Sequence, residues 1–330
     1  MAISANEKVL TLDYWKAANK IVQGDYVFNN KGELVKVKLV QEYYSEDCYE
    51  VRLNDHLTVT GDQKLGFLLE TKKYRERLLA YKGKLKFRRP LKHYSTQDLL
   101  EMPLRNGFNR SLYSIPTAHP LQFPHQTLPI PPFLFGFWFF GRRSTGKLAA
   151  PADKQDYVRE QFKEFGYKVR NHEILPTKNQ AFSVSPTIHS QLIPNVPTKI
   201  PENYLLASKE QRIELLRGIL HSKSRQYSPK YDEFRFTNAH YGTILQVAGL
   251  VESLGSKSII EYNKWKKDYT IKFKSRLPLV HNQVSPPVKV HYGRRFIAQI
   301  KPVAPRMCVH IETDGENNSI LVGEGFIAVC

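Results

Sequence analysis

A weak internal repeat limits the folds open to this chain more than any other feature. One copy opens at Phe133 with FLFGFWFFGRRSTG and the other at Leu215 with LLRGILHSKSRQYS. Behind each opening come an amphipathic helix and an alternating strand, which keep a fixed offset of 89 residues. Val158, Phe162, Phe165 and Gly166 map onto Val247, Val251, Leu254 and Gly255, and Phe182 and Val184 map onto Ile271 and Phe273. The apolar positions step by four and then three, so they share one helical stripe, and the glycine beyond is a natural stop. Two similar half-domains follow. Glycine inside a helix costs roughly 1 kcal/mol against alanine, so Gly136 and Gly218 at matching places predict two helices that meet backbone to backbone.

A chain of 330 residues has room for about two domains. Its 41% hydrophobic and 12% aromatic content is that of a folded protein. With 49 Lys+Arg against 31 Asp+Glu, the net charge of +18 favours a polyanionic partner, nucleic acid above all. No apolar run approaches the roughly 20 residues needed to cross a bilayer, so a membrane is not expected as a partner. The N-terminus mixes Glu7, Lys8 and Asp13 with apolar residues, unlike a secretory signal. Cys48, Cys308 and Cys330 are too few and too scattered for a disulfide framework or a zinc site, which fits an intracellular setting. A monomer is expected.

Residues 8 to 70 alternate apolar and polar in short runs, an all-β pattern with hairpins expected at Asn29-Asn30-Lys31-Gly32 and Thr60-Gly61-Asp62. From Phe296 the pattern returns, with MCVHIET, a turn over Asp314-Gly315-Glu316-Asn317-Asn318, and SILVGEGFIAV. The repeat therefore reads as an insert in a β domain. Residues 114 to 132 hold six prolines, as expected of an extended linker that cannot pair into a sheet, and Pro278 to Pro287 closes the insert. The segment from Lys72 to Lys92 holds ten Lys/Arg and one acid, interleaved with Tyr74, Tyr81 and Phe87. A solvated face usually mixes signs, so this reads as a DNA-backbone arm. Its expected contacts are Lys72, Lys73, Arg75, Lys82, Lys84, Lys86, Arg88, Arg89 and Lys92.

Two openings of the LxGxxx(G/D) kind, each followed by strands and a second helix, resemble the LAGLIDADG homing endonucleases. The resemblance implies two signature helices side by side at a pseudo-two-fold axis, sheets forming a saddle on DNA, and an acid at each helix foot holding a divalent metal. Here the feet fall on Gly141 (or Phe140) and Lys223. Mg²⁺ needs hard oxygen ligands, and an ammonium repels it. Nuclease chemistry is expected to be lost and no metal bound, with Mg²⁺ a cofactor only if the domain is active through other acids such as Asp232 or Asp268.

A β domain interrupted in this way resembles an intein, whose Hint fold is a β horseshoe. Ala2 to Thr11 followed by Ile21-Val22-Gln23-Gly24-Asp25-Tyr26-Val27 is similar to the intein opening. Leu57 to Gln63 is similar to the TxxH block, and Cys308-Val309-His310-Ile311 and Leu321 to Val329 to the last strands. The resemblance implies an α+β chain: an all-β Hint horseshoe over 1–115 and 291–330, split by an αββαββ domain over 116–290. It also implies host-protein flanks (exteins) as partners and splicing without a cofactor. Splicing needs a first-residue nucleophile, and the place holds Ala2. It needs a histidine as proton donor; beside Thr60, Gln63 stands there. Cys308 occupies a place where Asp or Cys is usual, and the chain closes on Val329-Cys330 where His-Asn is the rule. The expectation is a splicing element that is silent as written, whether by replacement or by natural decay. Two other readings stay open: a nucleic-acid-binding protein that never cuts, and an active nuclease with non-standard acids.

Overall fold

The computed structural model describes residues 2–80, 91–142, 147–175, 179–192, 197–223, 226–275, 277–280 and 293–330. It divides into two compact units. One comprises Met1–Gln122, Gly255–Lys257 and Pro287–Cys330, the other Phe123–Leu254 and Ser258–Pro286.

The first unit begins with β1 Ala2–Ser4, β2 Lys8–Thr11, β3 Tyr14–Ala17, β4 Tyr26–Phe28, β5 Leu34–Ser45, β6 Cys48–Leu53, β7 Thr58–Asp62 and β8 Gly66–Thr71. It continues through α1 Lys72–Ala80, β9 Lys92–Ser95, α2 Thr96–Glu101 and β10 Tyr113–Pro116. The second unit supplies α3 Pro132–Gly141, β11 Leu148–Ala150, α4 Gln155–Glu164, β12 Lys168–Ile174, β13 Gln180–Ser185, α5 Ile188–Leu192 and α6 Glu202–Leu205. It goes on to α7 Lys209–His221, β14 Tyr227–Ser228, β15 Glu233–Asn238, α8 Tyr241–Ser253, β16 Ser258–Asn263 and β17 Asp268–Phe273. The first unit then closes with β18 Arg294–Val303, β19 Arg306–Thr313, β20 Ile320–Val322 and β21 Ile327–Val329.

The first unit is built on one 14-stranded sheet in the order β21-β20-β2-β4-β5-β19-β1-β7-β6-β18-β10-β8-β9, with β3 beside β2. Strands from the two ends of the sequence interleave: β19 lies between β5 and β1, and β18 between β6 and β10. The alternation seen in the sequence sets which face is core. In β5, Val35 and Val37 are buried while Lys36 and Lys38 are exposed, and Ile3, Val51, Val59, Val309 and Ile311 join one apolar cluster.

Two expectations need correction here. Thr60-Gly61-Asp62 is no hairpin turn but the end of β7, paired to β6 from Cys48 to Arg52. Gly61 is there because a Cβ would run into the Ala2 carbonyl oxygen. The proline-rich segment does enter the sheet at its start, where Tyr113–Pro116 pairs with β8 and β18. Pro116 is the last residue of the strand, and the next bond to the β18 side is made by the Thr117 N–H to the Gly293 carbonyl at 2.8 Å. The expected closing segment Pro278 to Pro287 lies largely outside the described residues.

In the second unit the repeat is visible in three dimensions. β13 is the inner strand of β11-β13-β12 and β17 an inner strand of β14-β15-β17-β16, and Phe182, Val184, Ile271 and Phe273 from these strands all reach the core. Val158 and Phe162 of α4 and Val247 and Val251 of α8 are buried in it. Each helix stops at a left-handed glycine, Gly166 at φ 82° and Gly255 at φ 81°. One equivalence fails: Leu254 is buried, but Phe165 is 52% exposed. The second copy also carries seven extra residues between its opening and its helix, which build the β14–β15 hairpin.

Helix α3 is apolar on every side, with Phe133 to Phe139 all buried, the mark of a central helix. Its Gly136 meets α7: a Cβ there would lie 2.5 Å from the Leu215 carbonyl oxygen and 3.1 Å from the Ile219 nitrogen. A Cβ on Gly218 would lie 2.9 Å from the Phe137 nitrogen and closer still to the Phe133 carbonyl. The two helices therefore cross backbone to backbone. Arg212, fully buried, ties α7 to the end of α8 through Ser253, whose carbonyl and hydroxyl lie 2.9 and 2.5 Å from its Nη1.

Candidate functional site

The residues singled out for splicing gather on one sheet face of the first unit. Ala2 lies opposite His310, Ile3 opposite Val309, and Ser4 opposite Cys308, while Ile3 is also matched to Gly61 on β7. Alternation sends Ile3 and Val309 into the core and puts Ala2, Ser4, Cys308 and His310 on the other face, with Thr60 and Asp62. Tyr43 donates to Asp62 Oδ2 at 2.5 Å, and both burial and that carboxylate raise the Tyr43 hydroxyl pKa. The Sγ atoms of Cys48 and Cys308 are 3.8 Å apart. Burial, then Cys48, pushes the Cys308 thiol up to about 12. Thr60 donates its backbone N–H to Glu7 Oε1 at 2.8 Å; burial raises the Glu7 carboxyl above its ordinary range.

Ala2 and Cys330, from opposite ends of the sequence, both rest on the segment Gly61 to Gly66. Ala2 packs its carbonyl against Gly61, where only a missing side chain leaves room. Gly66 exchanges two backbone hydrogen bonds with Cys330, at 3.0 and 2.9 Å. Gln63 lies between the two glycines, half-buried, with its carbonyl accepting from the Gln97 N–H at 3.1 Å. Burial holds the Cys330 thiol up at about 12, so it is protonated at neutral pH. Two histidines passed over in the sequence stand close by. His310, bonded to Glu312 at 2.9 Å, is the cross-strand partner of Ala2, whereas Cys308 sits two residues away opposite Ser4. His93 lays its Nε2 over Gly66, next to the Cys330 carbonyl. No local signal marked either one: strand pairing brings them in from other parts of the chain.

The second cluster is at the feet of α3 and α7. Gly141 is buried, and the following Arg142 caps α3 by donating to the Trp138 carbonyl at 3.0 Å while its guanidinium lies 4.7 Å from the Trp138 ring centre. The Lys223 side chain is exposed. A different lysine, absent from the sequence reading, fills the foot of α7. Lys154 is 6% exposed, and its Nζ donates to the carbonyls of Leu220 at 3.0 Å and Lys223 at 2.8 Å. A cation suits the negative end of a helix dipole. Burial lowers its pKa to about 8, which still leaves an ammonium at neutral pH. This donor set does not fit Mg²⁺: Gly141 offers no side chain, Lys223 is a cation, and the helix-end carbonyls are already bonded to another cation. Asp232 accepts from Tyr227 at 3.1 Å in the β14–β15 turn, and Asp268 opens β17 opposite Asn263. Among the described residues no group of three or more His, Cys, Asp and Glu is placed to hold a metal.

Of the arm, Lys82, Lys84, Lys86, Arg88 and Arg89 lie outside the described residues. Lys73 and Lys92 are exposed, and Lys72 is 3.5 Å from Glu76. Arg75 has a structural task instead. It donates to the carbonyls of Glu70, Leu112 and Ser111 and to the Ser114 hydroxyl at 2.8 to 3.2 Å, with its guanidinium over Phe296. A guanidinium held by four acceptors of its own unit is poorly placed to reach a phosphate.

No helix among the described residues is long and apolar enough to cross a membrane. No protein-family model matches the sequence. Among curated proteins, the replicative DNA helicase DnaB of Mycobacterium intracellulare is 22% identical over 349 aligned positions, covering 99% of this chain and 58% of that protein. The chain thus spans less than two thirds of that relative's length. Among solved structures, the MchDnaB-1 intein aligns over 99% of this chain and 98% of its own, at 8% identity and a TM-score of 0.32. The gp41-1 intein covers 34% of this chain and 73% of its own, at 17% identity and a TM-score of 0.23. The structure titled I-DmoI in complex with DNA and Mn covers 44% of this chain and 89% of its own, at 11% identity and a TM-score of 0.32. The fold is α+β and sheet-dominated, and the solved structures to which it is similar include inteins and a homing endonuclease.

Proposed function

We propose that the chain is an intein-type splicing element, silent as written, whose inserted endonuclease-like body binds duplex DNA without cutting it. The observation that carries this reading is the seating of Ala2 on Gly61 of β7 and of Cys330 on Gly66 of β8, the strands that flank one short connection. A splicing element has to bring its two junctions to one place. The chemistry that would act there needs a nucleophile to take over the acyl group of the preceding residue, and the Ala2 methyl has no lone pair. It needs a titrating group at Gln63, whose amide does not titrate at neutral pH. The partners on this reading are host-protein flanks, and the name of the DnaB relative points to a replicative helicase as the kind of host. The reading keeps an intracellular monomer with no cofactor.

The experiment joins reporter peptides ahead of residue 2 and after Cys330 and follows them with and without added thiol. The unaltered element leaves both peptides attached. Mixed-sequence duplex should be retarded in a gel by the same protein and show no nicks with Mg²⁺. Nicking that needs Mg²⁺ and disappears in Asp232→Asn would replace this reading with that of an active nuclease.

A further inference from the structure

We propose that Asn106 is a site of self-modification: the Gly107 nitrogen closes on the Asn106 carboxamide and expels ammonia, and water then opens the ring to an aspartyl or isoaspartyl residue. The inference stands apart from the splicing and DNA-binding readings. Two steps in the sequence place glycine after Asn or Asp, Asn106-Gly107 and Asp314-Gly315, and glycine, without a Cβ, lets its nitrogen approach a neighbouring carbonyl most closely. The structure separates the two. Asp314 donates its N–H to the Lys36 carbonyl at 3.0 Å and accepts the Lys36 N–H on Oδ1 at 2.8 Å, and a Cβ on Gly315 would lie 2.7 Å from Val35 Cγ1. That step is packed in place. Gly107 is exposed, a Cβ there would meet nothing within 4 Å, and among the described residues its N–H donates to no acceptor.

The turn holds the carboxamide in a fixed setting. Asn106 donates its N–H to the Arg110 carbonyl at 3.0 Å and accepts the Asn109 N–H on its own carbonyl at 2.9 Å, with Asn109 at a left-handed φ of 56°. Its Oδ1 accepts the N–H groups of Phe108 at 3.2 Å and Arg110 at 2.9 Å. When the Gly107 nitrogen adds to Cγ, negative charge develops on that oxygen, where two fixed N–H donors stabilise it. The Arg105 guanidinium, held on Asn109 Oδ1 at 2.8 Å, favours the anion formed as Gly107 loses its proton. That proton passes to hydroxide, the nitrogen lone pair makes the N–Cγ bond, and the Cγ–Nδ2 bond breaks as Nδ2 takes a proton from water and leaves as ammonia. Water opens the ring at Cγ to give Asp, or at the main-chain carbonyl to give isoaspartate, and nothing is oxidised or reduced.

The test keeps the whole chain for days in mildly alkaline buffer made with heavy-oxygen water, then cleaves it after arginine and lysine and reads the peptides by mass spectrometry. Cleavage after Arg105 and Arg110 releases Asn106–Arg110, which carries its own control in Asn109. Asn106 should be converted, with aspartyl and isoaspartyl products both present and one solvent oxygen gained, while Asn109 and the Asp314-Gly315 step stay as they were. Gly107→Ala, which the open space accommodates, should melt like the parent and lose the conversion. The folded chain should convert at least as fast as the same chain unfolded in guanidinium, because the two N–H donors to Oδ1 are set only by the folded turn. Conversion of Asn106 no faster than that of Asn109, or faster in guanidinium than in the folded chain, would overturn the proposal. So would isomerisation at Asp314-Gly315 that keeps pace with Asn106.

Discussion

The sheet face around Ala2 and the feet of α3 and α7 differ in what stands where reactive groups would be. Around Ala2 the backbone frame is complete: β1 lies between β19 and β7, and Gly66 holds Cys330 by two hydrogen bonds. On the proposed reading, only side-chain atoms are lacking. At the helix feet, by contrast, the Lys154 ammonium bonds the carbonyls at the end of α7. A frame that lacks atoms accepts them back by substitution at Ala2 and Gln63. A site filled by a cation has to be emptied before a metal can enter.

That contrast can be broken most directly at the feet. Gly141→Asp with Lys223→Asp should still give no Mg²⁺-dependent nicking, because the new carboxylates have the Lys154 ammonium to pair with. Adding Lys154→Met should raise Mg²⁺ affinity, read by calorimetry. If the double acid variant cuts DNA with Lys154 in place, the contrast is wrong.

Both regions also depend on glycines where two backbones touch, and here the expected loss is in stability. Gly218→Leu puts side-chain atoms into the Phe133 and Phe137 backbone, which has no rotamer to yield. The loss should reach about 3 kcal/mol, the upper end for overpacking, and should fall on the inserted body. A urea midpoint equal to the parent's would mean that the helices do not cross as described.

Lys154 gives the comparison a pH signature. Its folded pKa of about 8 lies below the ordinary 10.5, so between those values the unfolded chain holds a proton that the folded chain has lost. Stability from this group therefore rises with pH across the window from about 8 to 10.5, by roughly 1.4 kcal/mol per unit at most and about 3 kcal/mol in all. Below pH 8 the burial penalty is present in full. Lys154→Met should remove that rise, as read from urea midpoints at pH 8 and pH 10. The splice-like face offers no lysine of this kind among its described residues, so Ala2 variants should keep the rise.

A smaller effect separates structure from binding in the basic segment. Arg75→Ala should cost about 2 kcal/mol of stability through its charge-assisted hydrogen bonds and leave the salt dependence of DNA binding unchanged. Neutralising Lys84, Lys86, Arg88 and Arg89 together should do the reverse, flattening the salt slope by about 3 to 4 with no change in melting. Equal effects of the two variants on the slope would return Arg75 to the DNA contacts.

What the sequence made legible depended on periodicity and spacing. The helical stripes of α4 and α8, their glycine stops and the paired Gly136 and Gly218 could be read because each is a local pattern repeated at a distance. Relations created by strand pairing could not. Nothing near His310 says that it, and not Cys308, faces Ala2, because the β1–β19 register is set by interleaving segments from the two ends of the chain. Gly61 looked like a turn residue since glycine signals turns as well as close approach; the Ala2 carbonyl decides between them. Arg75 looked like its basic neighbours, and only its four acceptors distinguish it. Lys154 lies thirteen residues beyond the end of α3 and reaches the end of α7 through the packing of the two half-domains. Phe165 matched the stripe by position yet is exposed, as a residue at the fraying end of a helix can be.

The central claim, that the first unit is a splicing frame lacking only its reactive groups, is tested by one measurement. A reporter peptide is joined ahead of residue 2 in a chain carrying Ala2→Cys, and its release by added thiol is timed with and without Gln63→His. The account predicts slow release from Ala2→Cys alone and release faster by roughly 10² to 10⁴ when Gln63→His is added, the usual scale of general acid catalysis. A double variant that melts like the parent and releases no peptide would contradict it.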